Sequence, residues 1–301
     1  MNKNIVDLFC GCGGFSSGFE NAGYNVVLGV DNWDTSLKTF RENHNGSKTL
    51  NLDLSEKDSI NTITKQVKNQ KIDLIIAGPP CQGFSLTGTR KENDSRNSLF
   101  KSVFELSKEL KPKIIIIENV PGIVTLYDGR AKDSILKLAS ENNYSCDFKV
   151  LFGPDYGLPQ IRKRTFFVMI KDQKNNFIFP KELYHKDNYV SCSDAIGDLP
   201  SLTDNLGREE SNYISNPNTD YQRKMRNGSK VLFNHTGTNH TDLVIDVISQ
   251  VPEGGNHKDL PEGVGDSRKF NEAWTRYHSQ KPSKTIDTGH RNHFHYKYNR
   301  V

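Results

Sequence analysis

Short apolar runs alternate with amphipathic stretches along roughly the first 170 residues, and this alternation restricts the fold more than any other feature of the chain. The runs are rich in β-branched and aromatic residues, which suits buried strands, and they cover residues 5–9, 26–30, 49–52, 73–77, 113–118, 148–152 and 165–170. Helical patterns lie between them, most clearly over 35–42, 96–110 and 133–142. The pattern predicts an α/β fold with a mainly parallel sheet, in which the last two strands form an antiparallel pair at one edge.

The character of the chain changes near residue 171, where apolar periodicity fades and Asn, Asp, Gly, Ser, Lys and His become frequent. We therefore expect a first domain over 1–170 and a smaller, loop-rich region over 171–275. That region contains one predicted helix, over 242–250. The last part of the chain, 276–301, stands apart from both.

Composition excludes several classes of protein. No apolar run approaches the ~20 residues of a membrane span, and the start of the chain lacks the pattern of a signal peptide, so the expected location is cytoplasmic. The five cysteines are an odd number, and none forms a C-x-x-C pair, so we expect neither a disulfide framework nor a metal site. A net charge of +4 is compatible with a polyanionic partner but does not require one.

A glycine-rich turn follows the first strand, in the sequence DLFCGCGGFSSGF at 7–19. Glycines here allow either a tight strand-to-helix turn or a close approach of the backbone to a ligand. Asp31 and Asp53 end the second and third predicted strands. Each alone reads as an ordinary turn aspartate, but together with the glycines they outline one crevice at the carboxyl ends of the strands.

Cys81 follows the fourth strand in GPPCQGFS at 78–85, and Glu118 ends the fifth strand. On neighbouring strands the two would face the same crevice, where a thiol and a carboxyl suit covalent catalysis with proton transfer. The alternatives are a small buried thiol and a capping or ion-paired acid. A carboxylate that ends four consecutive isoleucines needs a partner or a function.

Two basic segments complete the candidates. In GPDYGLPQIRKR, at 153–164, Arg162 and Arg164 lie on one side if the stretch is extended. They form either a solvated basic edge or a pair that contacts a phosphate, a carboxylate or a base carbonyl. The segment YQRKMRNGSK, at 221–230, is either a solvated loop or a contact for DNA phosphates.

Four of these segments, in this order, resemble the cytosine-5 DNA methyltransferases: DLFCGCGGFSSGF, GPPCQGFS, ENV at 118–120 and QIRKR at 160–164. The resemblance implies a Rossmann-like, class I S-adenosylmethionine-dependent methyltransferase sheet. It further implies that 1–170 is the catalytic, cofactor-binding domain and that 171–275 is the target-recognition region. Residues 276–301 are similar to the start of a conserved segment that is cut short.

The resemblance also implies roles for individual residues. Cys81 would be the nucleophile, Glu118 would contact N3 and the exocyclic amine of cytosine, and Arg164 would contact O2, with Arg162 in support. Asn119 and Arg96 would hold the catalytic loop and the strand ends. The S-adenosylmethionine site would be formed by Phe9, Cys10, Gly11, Gly13, Gly14, Asp31, Asp53, Leu54, Pro80 and Leu99.

The function that the resemblance implies is methyl transfer from S-adenosylmethionine to C5 of cytosine in double-stranded DNA. The reaction would use base flipping, and the enzyme would be of the restriction-modification type. A transfer-RNA cytosine-5 methyltransferase shares the same chemistry, and an inactive DNA-binding fragment is a non-enzymatic alternative. Because the family continues beyond the segment at 280–301, three explanations stay open: a second chain that supplies the end, a truncation, or a protein that binds without catalysing.

Overall fold

The computed structural model describes residues 3–80, 98–172, 177–203, 205–264, 274–286 and 293–299. The chain divides into two compact units, which are Met1–Leu151 with Lys163–Pro180, and Phe152–Arg162 with Lys181–Val301. The functional division predicted at 170 and 275 stays a prediction. The first unit extends to Pro180, whereas Phe152–Arg162 belongs to the second.

A seven-stranded sheet forms the centre of the first unit, with the strand order β3-β2-β1-β4-β5-β8-β6. Its strands are β1 (Asn4–Leu8), β2 (Asn25–Asp31), β3 (Lys48–Asn51), β4 (Leu74–Ala77), β5 (Ile114–Asn119), β6 (Tyr144–Phe152) and β8 (Lys163–Lys171), while β7 (Gln160–Ile161) belongs to the second unit. The neighbouring pairs among β1 to β5 are parallel, and β8 runs antiparallel to β5. All seven predicted strands, and the predicted α/β fold, are confirmed.

The two strands at the far edge reverse direction because only a short connection joins them. The backbone N–H of Asp172 donates to the carbonyl of Asn143 over 2.9 Å. The hydroxyl of Ser145 donates to the carbonyl of Ile170 over 3.2 Å. These contacts advance in opposite directions along β6 and β8, so the predicted antiparallel edge pair is present.

Helices connect the parallel strands, because parallel neighbours need long crossover connections. They are α1 (Gly14–Asn21), α2 (Asp34–Asn43), α3 (Ser59–Gln66), α4 (Ser98–Leu110) and α5 (Arg130–Glu141). The sheet is apolar on both faces: Ile75 and Ile115 pack into one cluster, whereas Ile5 and Ile76 pack with Phe40 of α2 into another. This double burial explains why β4 and β5 read as continuous apolar runs.

The second unit has small elements around its own core. Its helices are α6 (Cys192–Ile196), α7 (Asp220–Met225) and α8 (Asp242–Ser249). Three two-stranded ladders join β9 (Gly207–Ser211) with β10 (Leu232–Thr236), β11 (Thr275–Arg276) with β13 (His293–Phe294), and β7 with β12 (Ser283–Lys284). The core cluster contains Ile248, Val251, Trp274 and Phe294. Only α8 is predicted from sequence, because the other helices are too short to show a period.

A buried arginine joins the end of the chain to this core. Arg276 donates to the carbonyls of Ile248 and Val251, over 2.7 and 2.8 Å, and to the side-chain oxygen of Asn299 over 2.7 Å. Burial lowers the pKa of its guanidinium. Because these oxygens satisfy its donors, the cation is tolerated inside, and the segment after 276 forms part of the second unit.

Candidate active site

A cavity of about 400 Å³ lies in the first unit, at the carboxyl ends of its central parallel strands. Open α/β sheets bind ligands at this position. The residues that line it come from the loops that follow β1 to β4 and from the start of α4: Phe9, Asp31, Asn32, Leu52, Asp53, Leu54, Ser55, Gly78, Pro80 and Leu99. Six of the ten residues predicted for the cofactor are among them.

The glycines of the turn at 11–14 do not line the cavity, but Gly11 contacts the lining residue Asp31. Gly13 has a φ of 92°, and a β-carbon there would lie 2.0 Å from Nε2 of His44, so any side chain would overlap the imidazole ring. Gly11 also has a left-handed φ, of 54°, and its backbone N–H donates to Oδ2 of Asp31 over 2.9 Å. A β-carbon on Gly14, at the start of α1, would meet nothing within 4 Å. Gly13 is thus required by geometry, whereas Gly11 has a left-handed φ but open space for a β-carbon.

Phe9 and Cys10 precede this turn and differ in placement. Phe9 borders the cavity with a φ of 58°, a left-handed conformation that is uncommon for a bulky residue and is found at functional sites. Cys10 is 7% exposed and packs in the apolar cluster with Ile5 and Phe40. Burial raises the pKa of its thiol, and the charges of nearby acids add to this effect. Its thiol is therefore unreactive.

Both carboxylates of the cavity are fixed by neighbouring donors. The two oxygens of Asp31 accept from the backbone N–H groups of Gly11 and Trp33, each over 2.9 Å. Oδ1 of Asp53 accepts from the backbone N–H and the hydroxyl of Ser55, over 2.8 and 2.7 Å. These bonds hold the pKa of Asp53 below its usual value. Each carboxylate keeps further lone pairs that can accept from a ligand.

Four lining residues are absent from the predicted set: Asn32, Leu52, Ser55 and Gly78. Each of the first three adjoins a predicted residue, and Gly78 begins the GPPCQGFS motif. The signal that could have found them is position alone, because every residue that follows a parallel strand borders the same edge of the sheet.

A second feature of this sheet edge is an ion pair between Glu118 of β5 and Arg164 of β8. Nε of Arg164 lies 2.7 Å from Oε1 of Glu118, and the side chains are 24% and 29% exposed. The other carboxylate oxygen faces Gly78, where a β-carbon would lie 3.7 Å from it. Glu118 thus faces the end of β4, from which the chain continues to Cys81. Cys81 itself lies outside the described residues.

Asn119 joins the end of β5 to the loop that leads to Cys81. Its buried amide donates to the carbonyl of Pro79 over 2.9 Å, and its side-chain oxygen accepts from the N–H of Val120 over 2.9 Å. This contact is of the kind expected for a residue that holds the strand ends. Arg96, predicted to act with it, lies outside the described residues.

The two arginines of the QIRKR motif belong to different units. Arg164 is in the first unit, whereas Arg162 is in the second. There the carbonyl of Arg162 accepts from the N–H of Gly153 over 2.8 Å, which closes the loop 153–162 at its base.

Comparison with known proteins identifies the family. The model of the C-5 cytosine-specific DNA methylases matches residues 3–301. The chain belongs to this family. The methylase is 32% identical over 314 residues to the type II methyltransferase M.DdeI of Desulfomicrobium norvegicum, an alignment that covers 99% of this chain and 75% of that protein. It is 33% identical over 308 residues to the type II methyltransferase M1.HphI of Haemophilus parahaemolyticus. That alignment covers 100% of this chain and 75% of that protein.

A solved structure supports the fold of the methylase. The crystal structure of an E. coli prophage protein, described as a DNA modification methyltransferase, matches with a TM-score of 0.78 and 27% identity, over 100% of this chain and 85% of that one. The predicted class I methyltransferase fold and the predicted family are therefore confirmed.

Two further findings concern the described residues of the methylase. None of their helices is both long and apolar enough to span a bilayer. They also contain no group of three or more His, Cys, Asp or Glu side chains gathered as ligands for a metal ion.

Proposed function

We propose that the methylase transfers a methyl group from S-adenosylmethionine to C5 of cytosine within a specific sequence of duplex DNA, as the modification enzyme of a restriction-modification system. The observation that carries the proposal is the adjacency of two elements on one sheet edge. A cavity with two fixed carboxylates lies at Gly78, and the Glu118–Arg164 pair faces the same glycine, three residues before Cys81. The type II methyltransferases among its relatives support the restriction-modification class.

The cavity fits an adenosyl group by its chemistry. Asp31 can accept from ribose hydroxyls, since its oxygens are already oriented by backbone donors. Asp53 can accept from the adenine amine, and Phe9, Leu54 and Leu99 offer apolar surface to the ring. Pro80 completes that border. When bound, S-adenosylmethionine supplies an electrophilic methyl group.

Cys81 is proposed as the nucleophile. Its thiolate adds to C6 of cytosine, and the electron pair of the C5–C6 double bond makes C5 nucleophilic. C5 would take the methyl group as its bond to the sulfonium sulfur breaks, which leaves S-adenosylhomocysteine. A base would then remove the C5 proton, and those electrons would re-form the C5–C6 double bond as the C6–sulfur bond breaks and the thiolate leaves. The base must first leave the stacked duplex, at a cost of a few kcal/mol that contacts with the protein offset.

Glu118 and Arg164 are proposed to hold the extruded base. A carboxyl beside N3 and the exocyclic amine stabilises the protonated ring when the thiolate adds, and a guanidinium beside O2 draws electron density from it. The two side chains are paired with each other in this structure. Nη1 of Arg164 already donates to the carbonyl of Lys163 over 2.8 Å, so the pair would receive the base through Nη2 of Arg164 and the second oxygen of Glu118. Arg162 is proposed to support this region.

The units are proposed to divide the work, with methyl transfer in the first and sequence recognition in the second. Recognition would use the part of the predicted region 171–275 that follows Pro180, with its basic segment 221–230. Lysines and arginines of the segment 221–230 would contact phosphates, and the irregular loops of the region would contact base edges.

The test is methyl transfer with radiolabelled S-adenosylmethionine to duplex DNA that covers many sequences, with transfer RNA as the alternative substrate. Cys81→Ser should abolish transfer and leave binding of S-adenosylmethionine unchanged. Full turnover by that variant would refute the assigned nucleophile, and transfer only to RNA would replace the DNA substrate. The assay is repeated with the segment that follows the family's counterpart of 280–301 added as a separate chain, which tests the proposed second chain. Unchanged activity would contradict the need for one.

A further inference from the structure

A second cavity, of about 330 Å³, lies within the second unit. Four half-buried tyrosines share its lining, and they come from three separate stretches of the chain: Tyr156, Tyr184, Tyr189 and Tyr221. The proposed function includes Tyr221 and Lys224 only as members of the basic segment 221–230 and assigns no ligand to the cavity itself. Its size is at the lower end for small-molecule sites, so it suits one ring-sized group.

Asp155 holds one wall of the cavity in place. Its carbonyl accepts from the backbone N–H groups of Leu183 and Tyr184, over 2.8 and 3.0 Å. Its carboxylate accepts from the hydroxyl of Tyr189 over 2.6 Å. One residue therefore fixes two of the four tyrosines, and the wall is formed before any ligand arrives.

Gly157 lets Tyr184 close this wall. Its φ of 83° is left-handed, and a β-carbon there would lie 3.0 Å from Cε2 of Tyr184. The tyrosine ring thus lies on bare backbone, next to Tyr156 in the preceding turn. This contact accounts for the sequence Tyr156-Gly157 in the 153–164 segment, and neither residue has a role in the proposed methyl transfer.

The opposite wall is formed by the starts of α6 and α7. Thr219 caps α7 by accepting from the N–H of Gln222, and its hydroxyl donates to the carbonyl of Asp194 over 2.7 Å. This bond joins the two short helices and places Tyr221, in the first turn of α7, at the cavity. Burial raises the pKa of Tyr221, which keeps its phenol neutral and able to donate.

The lining of the cavity carries two carboxylates, Asp194 and Asp220, and the cation of Lys224. Oδ2 of Asp194 already accepts from the N–H and the hydroxyl of Ser191, over 2.9 and 2.6 Å. Asp220 is paired with Arg223. Lys224 is exposed and has no ion pair within the described part of the chain. Lys224 is therefore the cation of the lining that can pair with a phosphate beside a bound aromatic group.

We propose that this cavity binds one unstacked base of the DNA substrate, with Lys224 at the adjacent phosphate. The proposal rests on the proposed function only in taking DNA as the partner. Tyrosine faces stack on any base, which is how proteins bind unpaired nucleotides without reading their identity. The base in this cavity is distinct from the cytosine that Glu118 and Arg164 would hold.

The experiment compares two labelled duplexes of the same sequence by fluorescence anisotropy. One carries a single unpaired 5-iodouracil, and in the other that base is paired with adenine. The full chain should bind the unpaired form about tenfold more tightly, which is the effect of one stacked base. Irradiation should crosslink the iodouracil to a tyrosine of the cavity, identified by peptide mass spectrometry. Equal affinities, or a crosslink within the first unit, would overturn the proposal.

Variants separate stacking from folding. Tyr184→Ala and Tyr221→Ala should each abolish the preference, whereas Tyr184→Phe and Tyr221→Phe should keep it. Lys224→Gln should weaken both duplexes alike and reduce the salt dependence by about one phosphate contact. If an alanine variant fails to fold, the crosslink position on the unmodified chain decides. If both alanine variants fold and still prefer the unpaired base, the proposed binding of that base in the cavity is wrong.

The same design distinguishes this proposal from the proposed function. Glu118→Gln should keep the preference for the unpaired base, because Glu118 belongs to the other site. Loss of the preference in Glu118→Gln, with the tyrosine variants unaffected, would assign the base to the catalytic pocket. Absence of methyl transfer with an intact preference would remove the proposed reaction and leave the stacking cavity standing.

Discussion

Asp7 is the next-to-last residue of β1, and its buried carboxyl should make the stability of the first unit fall as pH rises. The side chain is 1% exposed, Oδ2 accepts from the hydroxyl of Ser16 over 2.6 Å, and Oδ1 has no hydrogen-bond partner in the described chain. Burial raises the pKa of Asp7 from 3.8 to about 7, and repulsion from Asp31 adds to the effect. The folded state therefore keeps the proton where the unfolded chain has lost it.

The direction and size of the effect follow from these two pKa values. Below the unfolded value of 3.8 both states are protonated, and between 3.8 and about 7 only the folded state holds the proton. In that window the free energy of unfolding decreases with rising pH, and above about 7 the dependence ends. The full difference of about 3 pKa units corresponds to about 4 kcal/mol.

Asp7→Asn removes the titration while keeping the shape and the acceptor for Ser16. Urea unfolding followed by circular dichroism should show that the free-energy difference between variant and parent moves in favour of Asn by about 2 kcal/mol between about pH 5.5 and pH 8. Ser16→Ala is the matched control: it removes the donor that lowers the pKa, so the dependence should extend to higher pH. Parallel curves for parent and Asp7→Asn, within ~0.5 kcal/mol, would refute the reasoning.

Three further predictions concern single residues. Glu118→Gln should lower the methyl-transfer rate by about 10²–10⁴-fold in a single-turnover assay, yet change the free energy of unfolding by less than about 1 kcal/mol, because the pair is partly exposed. In a urea titration, Gly13→Ala should lower the free energy of unfolding by at least about 2 kcal/mol, because φ at this position is left-handed and the added β-carbon would overlap His44. Gly14→Ala is the control and should be near neutral, because a β-carbon there has open space. Arg276→Lys should destabilise the second unit by about 3 kcal/mol, measured by thermal unfolding, since an ammonium cannot serve the same set of oxygens; an unchanged transition would contradict its role.

The sheet could be predicted from sequence because its strands are buried on both faces. Runs such as LIIA in β4 and the four isoleucines of β5 show a strand without further context. The helices α1 and α3 have only eight residues each, which is too short to show a clear period. In the second unit, α6 and α7 depend on side-chain caps and on contacts with distant residues, which a local pattern does not contain.

The candidate site was predictable where it follows from the ends of strands, as for Asp31 and Asp53. The sequence could not separate residues that line the cavity from those that shape it. Cys10 points into the apolar cluster, and Gly13 is required by His44, which lies 31 positions later in the chain. Whether a residue of this turn lines the cavity or packs inside depends on the direction of its side chain, which is set by packing between elements.

The pairing of β7 with β12 joins residues more than 120 positions apart, as in the bond from the Ser283 hydroxyl to the Pro159 carbonyl. The second unit is therefore discontinuous in sequence, because one of its strands is encoded between two strands of the first unit's sheet. A chimaera that exchanges this unit with that of a relative must carry two inserts, 152–162 and the part after 180. A graft of the longer insert alone would leave β12 facing a foreign partner strand, so compatibility at this two-residue ladder limits which recombinants fold.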